Sequence, residues 1–172
     1  LFQKTRLRKR DVVNSVIQEL IDHGYLCKKK PELFTQGKTS YLTVFSFVDP
    51  GIVTYLKGYT DKDNRGSQTE GYIHARLNNL IKNTVYKSTL SYFKEYDIAS
   101  TGMVRYTSGE IDFVITQGKK IIPIEVKHTK DLSQIKTDTL ESFIHKQKCQ
   151  FGIVIYGGVP FVEKTKRLVF WP

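Results

Sequence analysis

The hydrophobic and polar positions of this chain follow first a helical and then a strand-like period. In residues 11–23, DVVNSVIQELIDH, the apolar side chains recur three and four apart and form one stripe: Val12, Val13, Val16, Ile17, Leu20 and Ile21. Asp11 suits an N-cap and Gly24 a C-cap, so we expect a helix between them. Two short strand-like runs follow, YLCKK and YLTVFSFV, on either side of a polar loop. A helix followed by two such strands is the back half of a winged helix, which predicts a partial winged-helix-like module over residues 1–60.

A second amphipathic helix is predicted after a break. DPG at residues 49–51 interrupts the pattern, and GYTDKDNRGSQ is polar and glycine-bearing, which places a module boundary near residue 60. The helix is expected from about Gln68 to Lys82, with this apolar face: Ile73, Leu77, Leu80 and Ile81. Glu70 falls on the same face, because residues 70, 73, 77 and 81 are spaced three or four apart. A carboxylate on an inward-facing stripe indicates a role other than solvation.

The segment 109–127, GEIDFVITQGKKIIPIEVK, carries acidic residues inside two apolar runs. Strand alternation gives each run two faces: Ile111, Phe113 and Ile115 against Asp112 and Val114 in the first, and Ile122, Ile124 and Val126 against Ile121, Pro123, Glu125 and Lys127 in the second. Gly118 and Lys119 suit a type II′ turn, which pairs residue 117 with residue 120. This register sets Asp112 opposite Glu125, whereas a bulge would shift it by one residue.

Two facing carboxylates repel each other unless one is protonated or a cation lies between them. Mg²⁺ takes one or two carboxylates together with water and phosphate oxygens. Lys127 follows Glu125 on the same face, where its amine can orient or deprotonate a water for attack on phosphorus. The pattern therefore predicts a Mg²⁺ (or Mn²⁺) site. An ordinary solvated sheet face is the alternative interpretation.

The sequence predicts three further elements around this hairpin and two further polar residues near its acids. MVRYT is a probable strand, residues 138–148 form a helix with Leu140, Phe143 and Ile144 in the core, and FGIVIY is a buried strand. His128 should turn to the face opposite Lys127. Glu110 is either a spare acid near the site or, in the favoured interpretation, a turn residue.

The charge balance favours a polyanionic partner. The chain has 27 Lys and Arg against 17 Asp and Glu, a net charge of +10, and residues 1–30 alone hold eight basic and three acidic residues. Such an excess indicates nucleic acid, with DNA favoured over RNA, although a solvated basic tail has the same composition. The residues assigned to nucleic-acid binding are Arg6, Arg8, Lys9, Arg10, Lys28, Lys29 and Lys30.

The composition disfavours a membrane-spanning protein and a zinc-binding protein. A hydrophobic fraction of 40% is ordinary for a folded domain, and no apolar run approaches the roughly 18–20 residues of a membrane span. Cys27 and Cys149 lack zinc-ligand spacing and are expected to be reduced thiols. We therefore expect a cytoplasmic protein without a membrane partner, and the missing initiator Met suggests a piece of a longer chain.

At Asp112 and the triplet Glu125-Val126-Lys127, the sequence resembles the PD-(D/E)xK nuclease superfamily. The resemblance implies an α/β, restriction-endonuclease-like fold for residues 61–172, with an αβββαβ core around a central mixed sheet. It implies metal-dependent phosphodiester cleavage, with Asp112 and Glu125 as metal ligands and Lys127 as the catalytic lysine. Glu70 matches a first-helix glutamate found in several branches, including archaeal Holliday-junction resolvases, and would be a further catalytic and metal-binding residue. Ile111 stands where the motif has proline.

Four further stretches are similar to the uncharacterised C-terminal domain that follows an AAA-type ATPase in many bacterial and archaeal proteins: FVDPGI, RGSQTEGYIHARL, GEIDFVI and IIPIEVK. This similarity implies an upstream ATPase domain as partner, although no P-loop motif GxxxxGK[ST] occurs in the sequence. The expected function is a divalent-metal-dependent nuclease domain acting on DNA. The alternatives are a catalytically inactive nucleic-acid-binding or regulatory module of the ATPase and a protein-docking domain. Assembly into a homo-oligomer is left open.

Overall fold

The computed structural model describes residues 10–32, 43–57, 65–98 and 104–172. The helices in these ranges are α1 (Arg10–Asp22), α2 (Pro50–Lys57), α3 (Arg65–Lys82) and α4 (Asp138–Lys146). The strands are β1 (Leu26–Pro31), β2 (Val44–Phe47), β3 (Thr89–Ile98), β4 (Val104–Gln117), β5 (Lys120–Lys127), β6 (Gly152–Tyr156), β7 (Phe161–Glu163) and β8 (Leu168–Trp171).

The strands of the described residues form one mixed sheet in the order β2-β1-β3-β4-β5-β6-β8-β7. The hairpins β1–β2, β3–β4, β4–β5 and β7–β8 are antiparallel, whereas β1–β3, β5–β6 and β6–β8 are parallel. This confirms the predicted α/β class with a central mixed sheet. From α3 to β6 the chain runs α-β-β-β-α-β, with α4 as the crossover that parallel pairing of β5 and β6 requires.

The predicted N-terminal hairpin is formed by β1 and β2, and it joins the same sheet as the rest of the chain. Its contact with β3 is short, with Lys30 beside Ser91 and Pro31 beside Tyr92. Residue 60, the predicted boundary, lies outside the described residues. The division into 1–60 and 61–172 therefore stays a prediction, as does the winged-helix-like nature of the first part.

Helix α1 is formed close to its predicted bounds. Gly24 has a φ of +75°, the left-handed conformation that glycine adopts after a helix end. The predicted apolar stripe is wrong in part: Val13 is buried, but Val12 and Val16 are exposed. Among the described elements, α1 packs against β1, and a single neighbour covers only a narrow side of the helix.

The DPG break predicted after β2 is instead the start of α2. The carboxylate of Asp49 accepts a hydrogen bond from the backbone N–H of Gly51 at 2.8 Å and so caps the helix. Pro50 suits the first helical position because the N–H that proline lacks has no partner inside a helix there. Helix α3 starts three residues earlier than predicted, and Leu80 is exposed rather than on its apolar face.

Two apolar cores cover the two faces of the sheet. One lies beneath α4, where the predicted residues Leu140, Phe143 and Ile144 are buried against Val154 and Leu168. The other lies beneath α3 and consists of Phe113, Ile124 and Val126 together with Ile73, Leu77, Leu90, Ile115, Ile122, Ile153 and Ile155. The alternation predicted for β5 is confirmed, because Ile122, Ile124 and Val126 share the α3 face.

The β4–β5 hairpin has the predicted register. Gln117 pairs with Lys120, and the pairing continues to Phe113 and Ile124. Gly118 has a φ of +58° and Lys119 does not have a positive φ, a combination that matches the predicted type II′ turn.

A β-bulge interrupts β4 opposite β3. Ser91 pairs with Val114 and Phe93 with Ile111, so Tyr92 on β3 faces both Asp112 and Phe113 on β4. The extra residue turns Ile111 to the α4 core, while Phe113 stays in the α3 core. The prediction that Ile111 and Phe113 share a face is therefore wrong, and the cause is the bulge.

No helix in the described part of the chain is both long and apolar enough to cross a lipid bilayer.

Candidate functional site

A cavity of about 520 Å³ collects acidic side chains from α3, β4 and β5. Its lining residues are Glu70, Glu110, Asp112, Glu125, Lys127, Lys136, Thr139 and Leu140. Glu70, Asp112, Glu125 and Lys127 are the four residues predicted to carry the chemistry, and the fold brings all four together. Glu70 comes from the helix on one face of the sheet, whereas Thr139 and Leu140 come from α4 on the other.

Asp112 lies in the bulge of β4. Its Oδ2 accepts a hydrogen bond from the backbone N–H of Val126 at 2.7 Å, and its main-chain oxygen accepts one from Lys29 Nζ at 2.8 Å. Burial raises the pKa of the Asp112 carboxyl, against the hydrogen bond from Val126 and the charges of Lys127 and Lys29. The β4–β5 ladder ends at Phe113 and Ile124, one position before the predicted Asp112–Glu125 pair. Asp112 is therefore held near Glu125 by the hydrogen bond between its carboxylate and the N–H of Val126, the residue after Glu125.

Glu125 lies on β5, facing α4, and is the most perturbed acid of the cavity. Its Oε1 accepts a hydrogen bond from Lys127 Nζ at 2.5 Å, whereas Oε2 is buried and has no hydrogen-bond partner in the described part of the chain. Burial and then the charge of Asp112 raise the pKa of Glu125 to about 7, which outweighs the opposing effect of Lys127. A buried carboxylate oxygen without a donor leaves room for a cation or a water.

Lys127 is two residues from Glu125 and therefore on the same side of β5. Burial lowers the pKa of Lys127, but the hydrogen bond to Glu125 and the charges of the acids raise it more. The amine consequently carries its proton at neutral pH. Glu70 has a raised pKa, caused first by burial and then by the charge of Asp112.

The arrangement of the acids determines whether the cavity can hold a metal ion. Within the described residues, no three His, Cys, Asp or Glu side chains already form a group that could hold a metal ion. The predicted set of Asp112, Glu125 and Glu70 is therefore not preassembled. Two carboxylates and an unpartnered buried oxygen nevertheless fit Mg²⁺, which completes its six ligands with water.

The basic residues assigned to nucleic acid are separated by the structure. Lys28 and Lys30 are exposed on β1, but Lys29 is 8% exposed and turned inward, which corrects its expected position on the surface. Three of the residues lie outside the described ranges and the side chain of the fourth is not described: Arg6, Arg8, Lys9 and Arg10.

Sequence reasoning missed two cavity residues, Lys136 and Thr139, and the buried position of Lys29. The strand alternation of β1 could have placed Lys29 on the side opposite its two neighbours. Lys136, in the polar connection before α4, and Thr139, in the first turn of α4, carry no recognisable signal. Glu110 is in β4 rather than in a turn, at the cavity rim, where it forms an ion pair with Lys94 at 2.8 Å. His128 faces away from Lys127, as predicted, with Nδ1 3.0 Å from Thr69 Oγ1 on α3.

A family model described as a domain of unknown function, DUF4143, matches residues 65–172, more than half of the chain. The chain belongs to this family. The match starts at the first residue of α3 and so includes Glu70, Asp112, Glu125 and Lys127, whereas Lys29 precedes it.

No curated protein matches the chain. Among solved structures, it is similar to a half-complex from a tetradecameric assembly of Thermococcus gammatolerans McrB AAA+ hexamers with bound McrC, with 11% identity and a TM-score of 0.35. The similarity covers 62% of this chain and 27% of that chain, so this chain spans about a quarter of the length of its relative. A likeness at this level establishes neither a shared fold nor a shared function.

Proposed function

We propose that this member of the DUF4143 family is a divalent-metal-dependent nuclease domain that hydrolyses phosphodiester bonds in DNA. One observation carries the proposal. The buried Oε2 of Glu125, which has no hydrogen-bond partner among the described residues, lies in a cavity with the carboxylate of Asp112 and the ammonium of Lys127. A cation is the simplest partner for two buried acids whose pKa values are both raised.

The order of elements supports the same proposal. The succession α3-β3-β4-β5-α4-β6 is the αβββαβ order of the restriction-endonuclease-like fold. Asp112 on β4 and the Glu125–Lys127 pair on β5 lie on adjacent strands of this succession, which supports the resemblance to the PD-(D/E)xK motif. The β-bulge at Asp112 is of a kind that often re-aims a side chain beside an active site.

In this proposal Asp112 and Glu125 hold Mg²⁺ or Mn²⁺, and Glu70 is the third candidate ligand. A bound metal supplies charge neutralisation at the phosphate and a water of lowered pKa. Oxygen ligands of this kind suit Mg²⁺ and Mn²⁺ rather than the softer metals that prefer sulfur.

The proposed role of Lys127 follows from its protonation. In hydrolysis, the oxygen of water forms a bond to phosphorus and the bond from phosphorus to the leaving sugar oxygen breaks, while the water gives up a proton to solvent and the leaving oxygen takes one up from solvent. Because the acids raise the pKa of Lys127, its amine stays protonated and has no lone pair to accept the proton of the water. We therefore assign it to orienting the water and to stabilising charge that develops on the phosphate oxygens.

The basic charge of the chain supports DNA as the substrate, and Lys28 and Lys30 are exposed candidates for phosphate contacts. We propose in addition that the domain acts as the C-terminal part of an AAA-type ATPase. Four stretches that resemble the signatures of such C-terminal domains support this partner.

One observation favours a catalytically inactive nucleic-acid-binding or regulatory module instead. The Glu125–Lys127 ion pair gives the acid an internal counterion, and no three-residue metal group is preassembled among the described side chains. In this alternative, the lysine takes the place of the metal and the cavity is structural.

Incubation of the chain with supercoiled plasmid, short duplex DNA and RNA, with Mg²⁺, Mn²⁺ or EDTA, separates the two functions. The nuclease proposal predicts metal-dependent cleavage, reduced about 100-fold or more by Asp112→Asn and by Lys127→Met. Glu163→Gln, on β7 outside the cavity, is the matched control and should cleave normally. Salt-sensitive binding without cleavage under either metal would instead establish the inactive module.

A further inference from the structure

Lys29 on β1 is a buried lysine that binds Asp112, a residue lining the acidic cavity, from outside the part of the chain matched by the family model. It is 8% exposed, and its Nζ donates a hydrogen bond to the main-chain oxygen of Asp112 at 2.8 Å. Its neighbours Lys28 and Lys30 are exposed. Of these three consecutive lysines, the middle one is thus buried and the other two are exposed.

The environment of Lys29 consists of the residues of the β-bulge. Its Nζ is 4.3 Å from the ring centroid of Phe113 and 5.4 Å from that of Tyr92. Asp112, Phe113 and Tyr92 are the two residues of β4 and the one residue of β3 that face each other in the bulge. The amine therefore contacts every residue that makes the bulge.

Burying an ammonium among aromatic rings costs free energy unless charges and hydrogen bonds offset it. Burial lowers the pKa of Lys29, while the charges of Asp112, Glu70, Glu110 and Glu125 act in the opposite direction. The hydrogen bond to the Asp112 carbonyl and the cation–π contacts add to this compensation. The acids thus reduce the free-energy cost of burying this lysine.

A bulge leaves part of the regular ladder unformed, so its backbone requires another anchor. Lys29 supplies one by binding the carbonyl of Asp112, while the carboxylate of the same residue binds the N–H of Val126. With the backbone and the side chain of Asp112 both fixed, the carboxylate keeps one orientation beside Glu125.

We propose that Lys29 is a positioning residue, which holds the bulge of β4 so that the Asp112 carboxylate is aimed into the cavity for a divalent cation. The N-terminal hairpin is then a component of the site and not only an attached module. This inference rests on the proposed function, because the cation belongs to it.

Removal of Lys29 should have two opposing effects on the affinity for a divalent cation, so a titration can distinguish them. Loss of a positive charge beside the acids should strengthen cation binding. Loss of the anchor should weaken it, because Asp112 would no longer be held in one orientation. The inference requires that the second effect dominates.

The test uses the 172-residue chain with Lys29→Met, Lys29→Arg and the surface control variants Lys87→Met and Lys164→Met, at exposed lysines outside the site. Without metal, amide hydrogen exchange of Val126 reports the bond to the Asp112 carboxylate, and we expect exchange about 10-fold faster in Lys29→Met alone. Calorimetric titration with Mn²⁺ should give affinity about 10-fold or more weaker for Lys29→Met and unchanged for the surface variants. Lys29→Arg, which keeps charge and donors, should restore most of both signals.

An unchanged Val126 amide together with equal or tighter Mn²⁺ binding in Lys29→Met would overturn the inference. If the wild-type chain itself does not bind Mn²⁺, the proposed function fails, whereas the amide measurement still decides whether Lys29 holds Asp112. Should Lys29→Met not fold, as judged by circular dichroism, the milder Lys29→Gln is expected to show the same two changes and is subject to the same criterion.

Discussion

The carboxylate of Asp112 and the backbone N–H of Val126 are joined by a hydrogen bond of 2.7 Å between Oδ2 and N. This bond crosses from β4 to β5 at the point where regular pairing of the two strands has ended. It places one acid beside Glu125, the residue before Val126, and the charge of Asp112 contributes to the raised pKa of Glu125. The arrangement stores electrostatic repulsion that a bound cation would relieve.

Asp112→Asn should separate chemistry from stability. An asparagine oxygen can still accept the hydrogen bond from Val126, and the substitution removes a buried negative charge, so the free energy of unfolding should be unchanged or higher. Asp112→Ala leaves the N–H without its acceptor and should cost about 1–3 kcal/mol. Denaturant unfolding of both variants measures this difference, and an equal loss of stability would show that the hydrogen bond is unimportant.

The pKa of Glu125 predicts a pH-dependent stability in the absence of metal. Its folded-state value of about 7 lies above its ordinary value of 4.5. Between these values the folded chain retains a proton that the unfolded chain has released, so the free energy of unfolding falls as pH rises from 5 to 7. The part due to Glu125 should be on the order of 1–3 kcal/mol.

Glu125→Gln is the control for this dependence, because a neutral amide has no such titration. Thermal unfolding of both chains at several pH values should give a difference that grows with pH, with the variant more stable at pH 8. Parallel curves would show that Glu125 titrates normally.

Lys28 and Lys30 should contribute to DNA binding through phosphate contacts. Replacement of both by alanine should weaken binding to all duplex sequences alike and reduce the slope of log K against log salt by about 0.9 per lost contact. Lys164→Ala, an exposed lysine in the turn after β7, is the control. Fluorescence anisotropy at several salt concentrations measures the slope, and an identical slope in the double variant would remove these residues from the interface.

Gly152 at the start of β6 should not tolerate a larger side chain. A Cβ there would lie 2.8 Å from Ile144 Cδ1 and 3.4 Å from Leu140 Cδ1, in the core beneath α4. Gly152→Ala should therefore lower the free energy of unfolding by about 1–3 kcal/mol. Gly66→Ala, in the first turn of α3, meets no atom within 4 Å and should be neutral or stabilising by up to about 1 kcal/mol. Chemical denaturation of the pair tests this, and equal stabilities would contradict the packing at Gly152.

The hairpin and its acids were predictable because their signals are local. The positive φ of Gly118 fixes the turn, the turn fixes the register, and alternation then places Glu125 and Lys127 on one face. Helix α4 and the strand after it were likewise clear from their apolar periodicity. The four stretches resemble an uncharacterised, ATPase-associated domain. The family that matches residues 65–172 is likewise a domain of unknown function, and the two agree to that extent.

Features that depend on distant partners were not predictable. The bulge at Asp112 arises from pairing with Tyr92 on β3, a strand that was not predicted from the sequence. The inward turn of Lys29 was indicated only by strand alternation, but its contacts with Asp112, Phe113 and Tyr92 depend on distant strands. Strands β7 and β8 went unpredicted, because runs as short as Phe161–Glu163 give too little alternation to detect.

Calorimetric titration of the metal-free chain with Mg²⁺ and Mn²⁺ near pH 7 tests the central claim, that Asp112 and Glu125 together bind a divalent cation. Binding should release protons, seen as a heat that depends on the buffer, because the raised pKa of Glu125 leaves part of its carboxyl protonated. Asp112→Asn and Glu125→Gln should each weaken binding by about 10-fold or more, and Glu163→Gln should leave it unchanged. Absence of binding in the wild-type chain, or equal affinity in all four proteins, would contradict the account.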